Sequence, residues 1–168
     1  MTGSGTSRVR TALLEKFRVV ARERIENLNT LYLRLESADG DDGAAPDLLR
    51  EIHTLKGEAK LRGFPAMSDV AHEIEDLLLL ARDRQFDVDP DHSQIVLEGF
   101  DLLGSLLEGE LDTPAQTATA AAYAEGARSV AALYDGQGPS PRTAAAPPSA
   151  PPVTTREGGV PSAPPPGL

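Results

Sequence analysis

Cysteine and tryptophan are absent from this 168-residue chain, and aromatic residues make up only 4% of it. Without thiols there is no disulfide framework, no cysteine nucleophile and no Cys-type zinc site. No run of 18 apolar residues occurs, and the opening Met1 to Arg10 is polar and lacks the apolar core of a secretory signal. Neither a membrane span nor export is therefore expected, which places the protein in the cytoplasm. Cations are in the minority, with 16 Lys and Arg against 26 Asp and Glu, a formal net charge of −10. That balance argues against nucleic acid or an anionic membrane as the main partner and suits a basic patch on another protein. Segments that alternate apolar and polar residues are missing too, so no sheet is expected.

What is present is helical periodicity. From Ser7 to Ser37 the apolar residues Leu14, Phe17, Ala21, Ile25, Leu28, Leu31 or Tyr32, and Leu35 recur every three or four positions. This predicts a long amphipathic helix, with Ser7 as its N-cap and residues 1–6 frayed. Ala38 to Ala45 holds Asp-Gly-Asp-Asp-Gly and reads as a loop.

Proline marks the remaining helix starts. Ten of the fourteen prolines lie after residue 138, and the other four are Pro46, Pro65, Pro90 and Pro114. Each of these four precedes a periodic apolar run, and proline suits a first helical position, where its missing N–H would be unpaired anyway. The predicted helices span 46–62, 65–84, 90–109 and 114–135, with Asp89 and Thr113 as N-caps of the last two and Gly63 as a left-handed C-cap. Met67, Val70, Ala71, Ile74, Leu77, Leu78 and Ala81 are assigned inward on one helix. Ile95 or Val96, Leu103, Leu106 and Leu107 are assigned inward on the next. The last helix is rich in alanine and is assigned Tyr123, Val130, Leu133 and Tyr134 as anchors.

The fold class expected is all-α. An up-down antiparallel four-helix bundle carries a fifth C-terminal helix, because short loops favour antiparallel neighbours. Residues 1–135 form this domain. Residues 136–168 hold ten prolines and almost no large apolar side chain. Such a segment cannot bury enough surface to offset its ordering entropy, so a disordered Pro/Ala-rich linker or tail is expected. Its Pro161-Ser-Ala-Pro164 fits a PxxP spacing, which arises readily in so biased a composition.

One stretch carries more than packing. In Glu51 to Phe64, read at about 100° per residue, Leu48, Ile52, Leu55 and Ala59 form a core stripe, and His53 lies about 130° away from it. The helical neighbours of His53 are Arg50, Lys56, Gly57 and Lys60. An exposed imidazole, a notch left by glycine and local positive charge make a place to hold a phosphoryl group.

The ordered pattern His53-Thr54-Leu55-Lys56-Gly57-x-Ala59-x-x-x-Gly63-Phe64 resembles the signature of histidine-phosphotransfer (HPt) domains. It is most similar to the type at the N-terminus of chemotaxis-class (CheA- and FrzE-like) histidine kinases. Ala71-His72-Glu73-Ile74-Glu75-Asp76-Leu77-Leu78 resembles the family's next helix, and the resemblance covers roughly residues 7 to 110. The resemblance implies that Glu75 holds Nδ1 of His53 and leaves Nε2 to take the phosphoryl, with Lys56 and His72 completing a hydrogen-bonded group. It implies an ATP-binding histidine-kinase domain as donor and a response-regulator receiver as acceptor, both docking around His53 with Arg50, Lys60 and Arg62 nearby. The chain has no Gly-rich nucleotide loop and no Asn-bearing ATP-lid pattern, so no cofactor is expected in it. ATP and Mg²⁺ would belong to the kinase partner, and the chain would be a carrier, the phosphoacceptor part of a two-component kinase rather than an autonomous enzyme. Two positions depart from the family pattern, Glu58 after Gly57 and Arg62 three after Ala59. Glu58 lies about 140° from His53 and is expected to leave the site intact, and Arg62 to bear on partner choice.

Rival readings weigh the same residues differently. In one the bundle docks receivers or a kinase without transferring phosphoryl; in another it is a plain helical scaffold. A metal reading of His53, His72, Glu75 and Asp76 lacks the second Glu-x-x-His helix that a di-metal bundle needs, so no metal is expected. His92 lies near a helix start, outside any motif, and is assigned to the surface.

Overall fold

The chain, seen in a computed structural model, is described for residues 3–37, 43–87, 89–108 and 112–136. These form five helices, α1 Gly3–Glu36, α2 Ala44–Arg62, α3 Pro65–Asp83, α4 Pro90–Leu107 and α5 Pro114–Gly136, with no strand among the described residues. The Pro/Ala-rich tail after Gly136 lies outside them.

Helices α1, α2, α3 and α4 close a ring in which each packs on its two neighbours, and α5 lies outside it against α3 and α4. Cross-helix bonds give the directions. Arg22 of α1 reaches Glu108 just beyond α4, while Tyr32 reaches Ser93 near its start, so α1 and α4 run antiparallel. Between α3 and α5, Glu73 pairs with Arg128, and Arg84 just past α3 meets the carbonyl of Tyr134. Both numbers rise together, so α5 runs parallel to α3.

The local rules set the ends. Gly63 takes φ 80°, a left-handed conformation that costs glycine little, and Phe64 N–H closes back on the carbonyl of Ala59 at 2.9 Å. Pro65 and Pro90 open α3 and α4, and the Asp89 carboxylate accepts from the His92 N–H at 2.8 Å. Thr113 Oγ1 accepts from the N–H of Gln116, and Gln116 Oε1 accepts from the N–H of Thr113, a reciprocal box at the start of α5. Two starts differ from expectation. Helix α2 opens at Ala44, so Pro46 is its third residue, still in the first turn where no N–H is needed. Helix α1 opens at Gly3, which puts Ser7 inside the helix rather than at its N-cap, the helix running on through Gly5.

The core stripes are buried as their periodicity requires from Phe17 onward, with both Leu31 and Tyr32 inside and Val96 deeper than Ile95, while Leu14, towards the start of α1, is only half-buried. Helix α5 is anchored differently from the sequence assignment. Tyr123 and Tyr134 are buried, but Leu133 is 68% exposed and Val130 only partly covered, and Ala120, Ala124 and Ala127 make the close contact instead. Gly99 lets Tyr123 in: a Cβ there would overlap the Tyr123 hydroxyl and lie 2.8 Å from Ile74 Cδ1. That hydroxyl donates to the carbonyl of Ile95 at 2.9 Å.

His92 is the clearest correction. It is 0% exposed rather than on the surface. Its Nε2–H donates to the carbonyl of Leu77 at 3.0 Å, its Nδ1 has no partner, and its ring lies 4.7 Å from that of Tyr134. The Arg84 guanidinium covers the other part of this stack, 4.1 Å from the Tyr134 centroid. Burial pushes the His92 pKa down, and Arg84 adds to this, against the opposing pull of the Leu77 carbonyl, Asp89 and Glu36. The unfolded chain therefore takes up the proton first as pH falls. The stability this neutral ring contributes is complete above about pH 6.5 and declines below it. Urea unfolding between pH 8 and 5.5 is expected to show wild type losing more stability below about pH 6.5 than His92→Gln, by at most ~1.4 kcal/mol per pH unit.

Candidate functional site

Helix α2 fixes the site by its rotation. With Ile52, Leu55 and Ala59 fully buried, His53 is carried to the outer face with its side chain 71% exposed. The Gly63–Phe64–Pro65 turn sends α3 back along α2. This brings Glu75, 22 positions later in sequence, under the imidazole.

Glu75 Oε1 lies 2.7 Å from His53 Nδ1, and Glu75 Oε2 accepts from Lys56 Nζ. One carboxylate thus serves two donors of α2 while itself only 12% exposed. Burial raises the Glu75 pKa, but the hydrogen bonds from Lys56 and His53 and their charges outweigh it and hold the carboxyl below its ordinary range. Its contribution to stability is thus present above the ordinary carboxylate pKa and lost as pH falls through the lowered one. An ionised Glu75 can only accept, so Nδ1 carries the hydrogen and Nε2 presents a lone pair outward. The contact thus selects one tautomer of the neutral ring.

Beside the ring, Gly57 leaves open space, with nothing within 4 Å of where a Cβ would stand. Lys56, Gly57, Lys60, Ser68, Asp69 and His72 line a groove of about 660 Å³ that runs from this notch towards the start of α3. Ser68 Oγ donates to the carbonyl of Lys56 at 3.4 Å.

The remaining site candidates are placed as follows. His72 shares the groove, but its ring is directed to Asp76, with Nδ1 to Oδ1 3.8 Å, and no hydrogen bond joins it to Glu75. Arg50 pairs with Asp47 one turn back. Lys60 is exposed on the rim of the groove. Arg62 lies 5.1 Å over the ring of Phe17, which stacks on Phe64, so its guanidinium also serves α1–α2 packing. Glu58 turns away from His53, and Arg24 bonds both Glu51 at 2.6 Å and Glu58 at 3.4 Å. Among the described residues no group of three or more His, Asp or Glu is placed to hold a metal, and no helix is long and apolar enough to cross a membrane. Sequence reasoning passed over Leu61, which is 87% exposed on α2. Its signal was available: a leucine eight positions after His53 lies outside the core stripe.

A family model described as the Hpt domain matches residues 12–116. Chemotaxis protein CheA of Halobacterium salinarum is 34% identical over 130 residues, 77% of this chain and 20% of that protein. The gliding motility regulatory protein of Myxococcus xanthus is 34% identical over 103 residues, 61% of this chain and 13% of that protein. Sensor histidine kinase CheAY of Helicobacter pylori is 30% identical over 105 residues, 62% of this chain and 13% of that protein. The chain thus spans a fifth or less of the length of these relatives.

The Glu75 carboxylate is what selects the tautomer. In ¹⁵N-detected NMR of the neutral ring, wild-type His53 is expected to show one dominant form protonated at Nδ1. Glu75→Gln should give a mixture of the two tautomers, and an unchanged spectrum would contradict the assigned role.

Proposed function

The chain belongs to the histidine-phosphotransfer (Hpt) domain family, and from that premise we propose that His53 is its phosphoacceptor. A phosphorelay role in two-component signalling comes with the family. The finer reading is that His53 takes a phosphoryl group from a histidine-kinase ATP domain and passes it to a receiver aspartate. The observation that carries it is the hydrogen bond between His53 Nδ1 and the buried Glu75, which leaves Nε2 free on an exposed ring.

In the first step the Nε2 lone pair attacks the γ-phosphorus of ATP, held with Mg²⁺ by the kinase partner. The bond from that phosphorus to the bridging oxygen breaks, and ADP leaves with the electron pair. The imidazolium that forms keeps its Nδ1–H on the Glu75 carboxylate, which stabilises the new positive charge. Lys56 offsets part of the added phosphoryl charge, about −1.5 to −2. In the second step a carboxylate oxygen of the receiver aspartate attacks the phosphorus. The N–P bond breaks, its electrons return to Nε2, and an acyl phosphate forms on the receiver. His72 and Lys60 line the groove along which either partner approaches. ATP and Mg²⁺ remain the partner's in this scheme. The lengths of the relatives favour a phosphoacceptor module that works beside a kinase domain in a longer protein.

Incubation of the purified chain with a chemotaxis-class kinase ATP domain and γ-labelled ATP tests the reading. Acid-labile, base-stable label is expected on wild type and none on His53→Gln. Label on both would mean another residue is the acceptor. Absence of label from both, with the kinase active on a second substrate, would favour a docking module without transfer. Gly57→Ala separates access from folding. The open space admits the methyl, and stability should rise by ~0.5–1 kcal/mol as helix propensity improves. Labelling is nevertheless expected to slow by about tenfold or more, since a methyl beside the ring displaces the incoming phosphorus.

A further inference from the structure

We infer that the last two turns of α5 are an acid-released latch, held shut by the buried neutral ring of His92 against Tyr134. Beyond Ala127, Tyr134 is the one buried residue described on α5. Val130 and Ala131 are half-covered there, and Ser129, Ala132 and Leu133 are exposed. The end of the helix therefore rests on a single ring. Arg128, bonded to Glu73 at 2.8 Å, marks where the firmer hold begins.

Tyr134 is engaged from three directions. Its ring lies 4.7 Å from that of His92 at the start of α4. Its hydroxyl donates to the carbonyl of Asp87 at 2.8 Å, and its own carbonyl accepts from Arg84 just past α3. The turn that carries Arg84 and Asp87 is strained, for Gln85 and Phe86 both take φ 57°, the left-handed region that side chains disfavour. Tyr134 thus helps to clamp a turn held against its own preference.

The closed latch suits a neutral His92 and not its cation. Nε2–H donates to the carbonyl of Leu77 in either form, but the cation adds a hydrogen at Nδ1, which is buried with no acceptor. The charged and titratable groups around the ring come from every side: Arg84 past α3, Asp89 before α4, Tyr134 on α5, and Glu36 and, behind Ser93, Tyr32 on α1. Both carboxylates are engaged elsewhere, Asp89 by the backbone N–H of His92 and Glu36 by the Ser93 hydroxyl. Arg84, 4.1 Å from the Tyr134 centroid, opposes a second cation beside that ring. A proton can stay on His92 only where water reaches Nδ1. Helices α3 and α4 are fixed by full core stripes, and the end of α5 by Tyr134 alone, so α5 is the cover that lifts. Opened, Val130 to Gly136 pass from about 10 Å of helix to as much as about 24 Å of chain, and whatever follows Gly136 gains that reach.

Hydrogen exchange of the full chain tests the latch, with each amide's protection corrected for the intrinsic pH dependence of exchange. At pH 7.5 the amides of Ala131 to Tyr134 are expected to be at least about tenfold less protected than those of Ile52 and Leu55, because they open without the bundle. Their protection should fall about tenfold further by pH 5.5, as one proton taken up by the open form requires. His92→Gln, whose amide can donate to Leu77 but takes up no proton, should abolish that fall. Tyr134→Ala should leave the same amides poorly protected at both pH values. Protection in wild type that equals that of α2, or that does not change with pH, overturns the latch. So does a fall that survives in His92→Gln, or full protection in Tyr134→Ala.

Discussion

Glu75 sits at the seam between α2 and α3, nearly covered, and it is asked to be an anion there. Burial alone would favour its protonated form, which could no longer accept from both neighbours. The Lys56 ammonium, one helical turn from His53, and the hydrogen bond from His53 together outweigh burial and favour the ionised form. Only then does His53 keep its hydrogen on Nδ1. The tautomer of His53 is thus influenced by a lysine bonded to the same carboxylate. Lys56 and Glu75 also tie the two helices whose packing sets the direction of His53, so the bond that prepares the chemistry also holds its scaffold in place.

Around that seam the charges divide by purpose. Arg24 is committed to Glu51 and Glu58 and fastens α1 to the rear of α2. Arg128 holds Glu73, and Arg84 covers Tyr134, so both secure α5. Glu58, the departure from the family pattern that adds an anion next to Gly57, is absorbed into the Arg24 pairing. The groove beside His53 is thus mixed in charge, with Lys56 and Lys60 facing Asp69 and Asp112.

Much of this was legible in the sequence because the signals are local. Four prolines, Gly63 and the apolar spacing of α2, α3 and α4 act within a turn or two of themselves, and the helices begin and end close to where those signals lie. His53, Lys56 and Glu75 were legible as a set because they belong to an ordered motif. The misplaced residues depend on distant partners. His92 looks like any polar residue at a helix start, and only Tyr134, 42 positions later, and the carbonyl of Leu77 bury it. The anchors of α5 were misread because alanines, weakly informative in sequence, make the close contact once Gly99 admits Tyr123. His72 has two acids within reach on its own helix, and spacing alone does not say that Asp76 rather than Glu75 lies nearer its ring.

The exposure of His53 also bears on time. A phosphoryl group on a ring open over 71% of its surface would stand in bulk water, with no lid among the described residues to shelter it. Its lifetime would then follow from the N–P bond and the solvent rather than from the fold. The message such a carrier bears would fade at a pace the protein does little to slow, and a receiver that comes too late would find the histidine already blank.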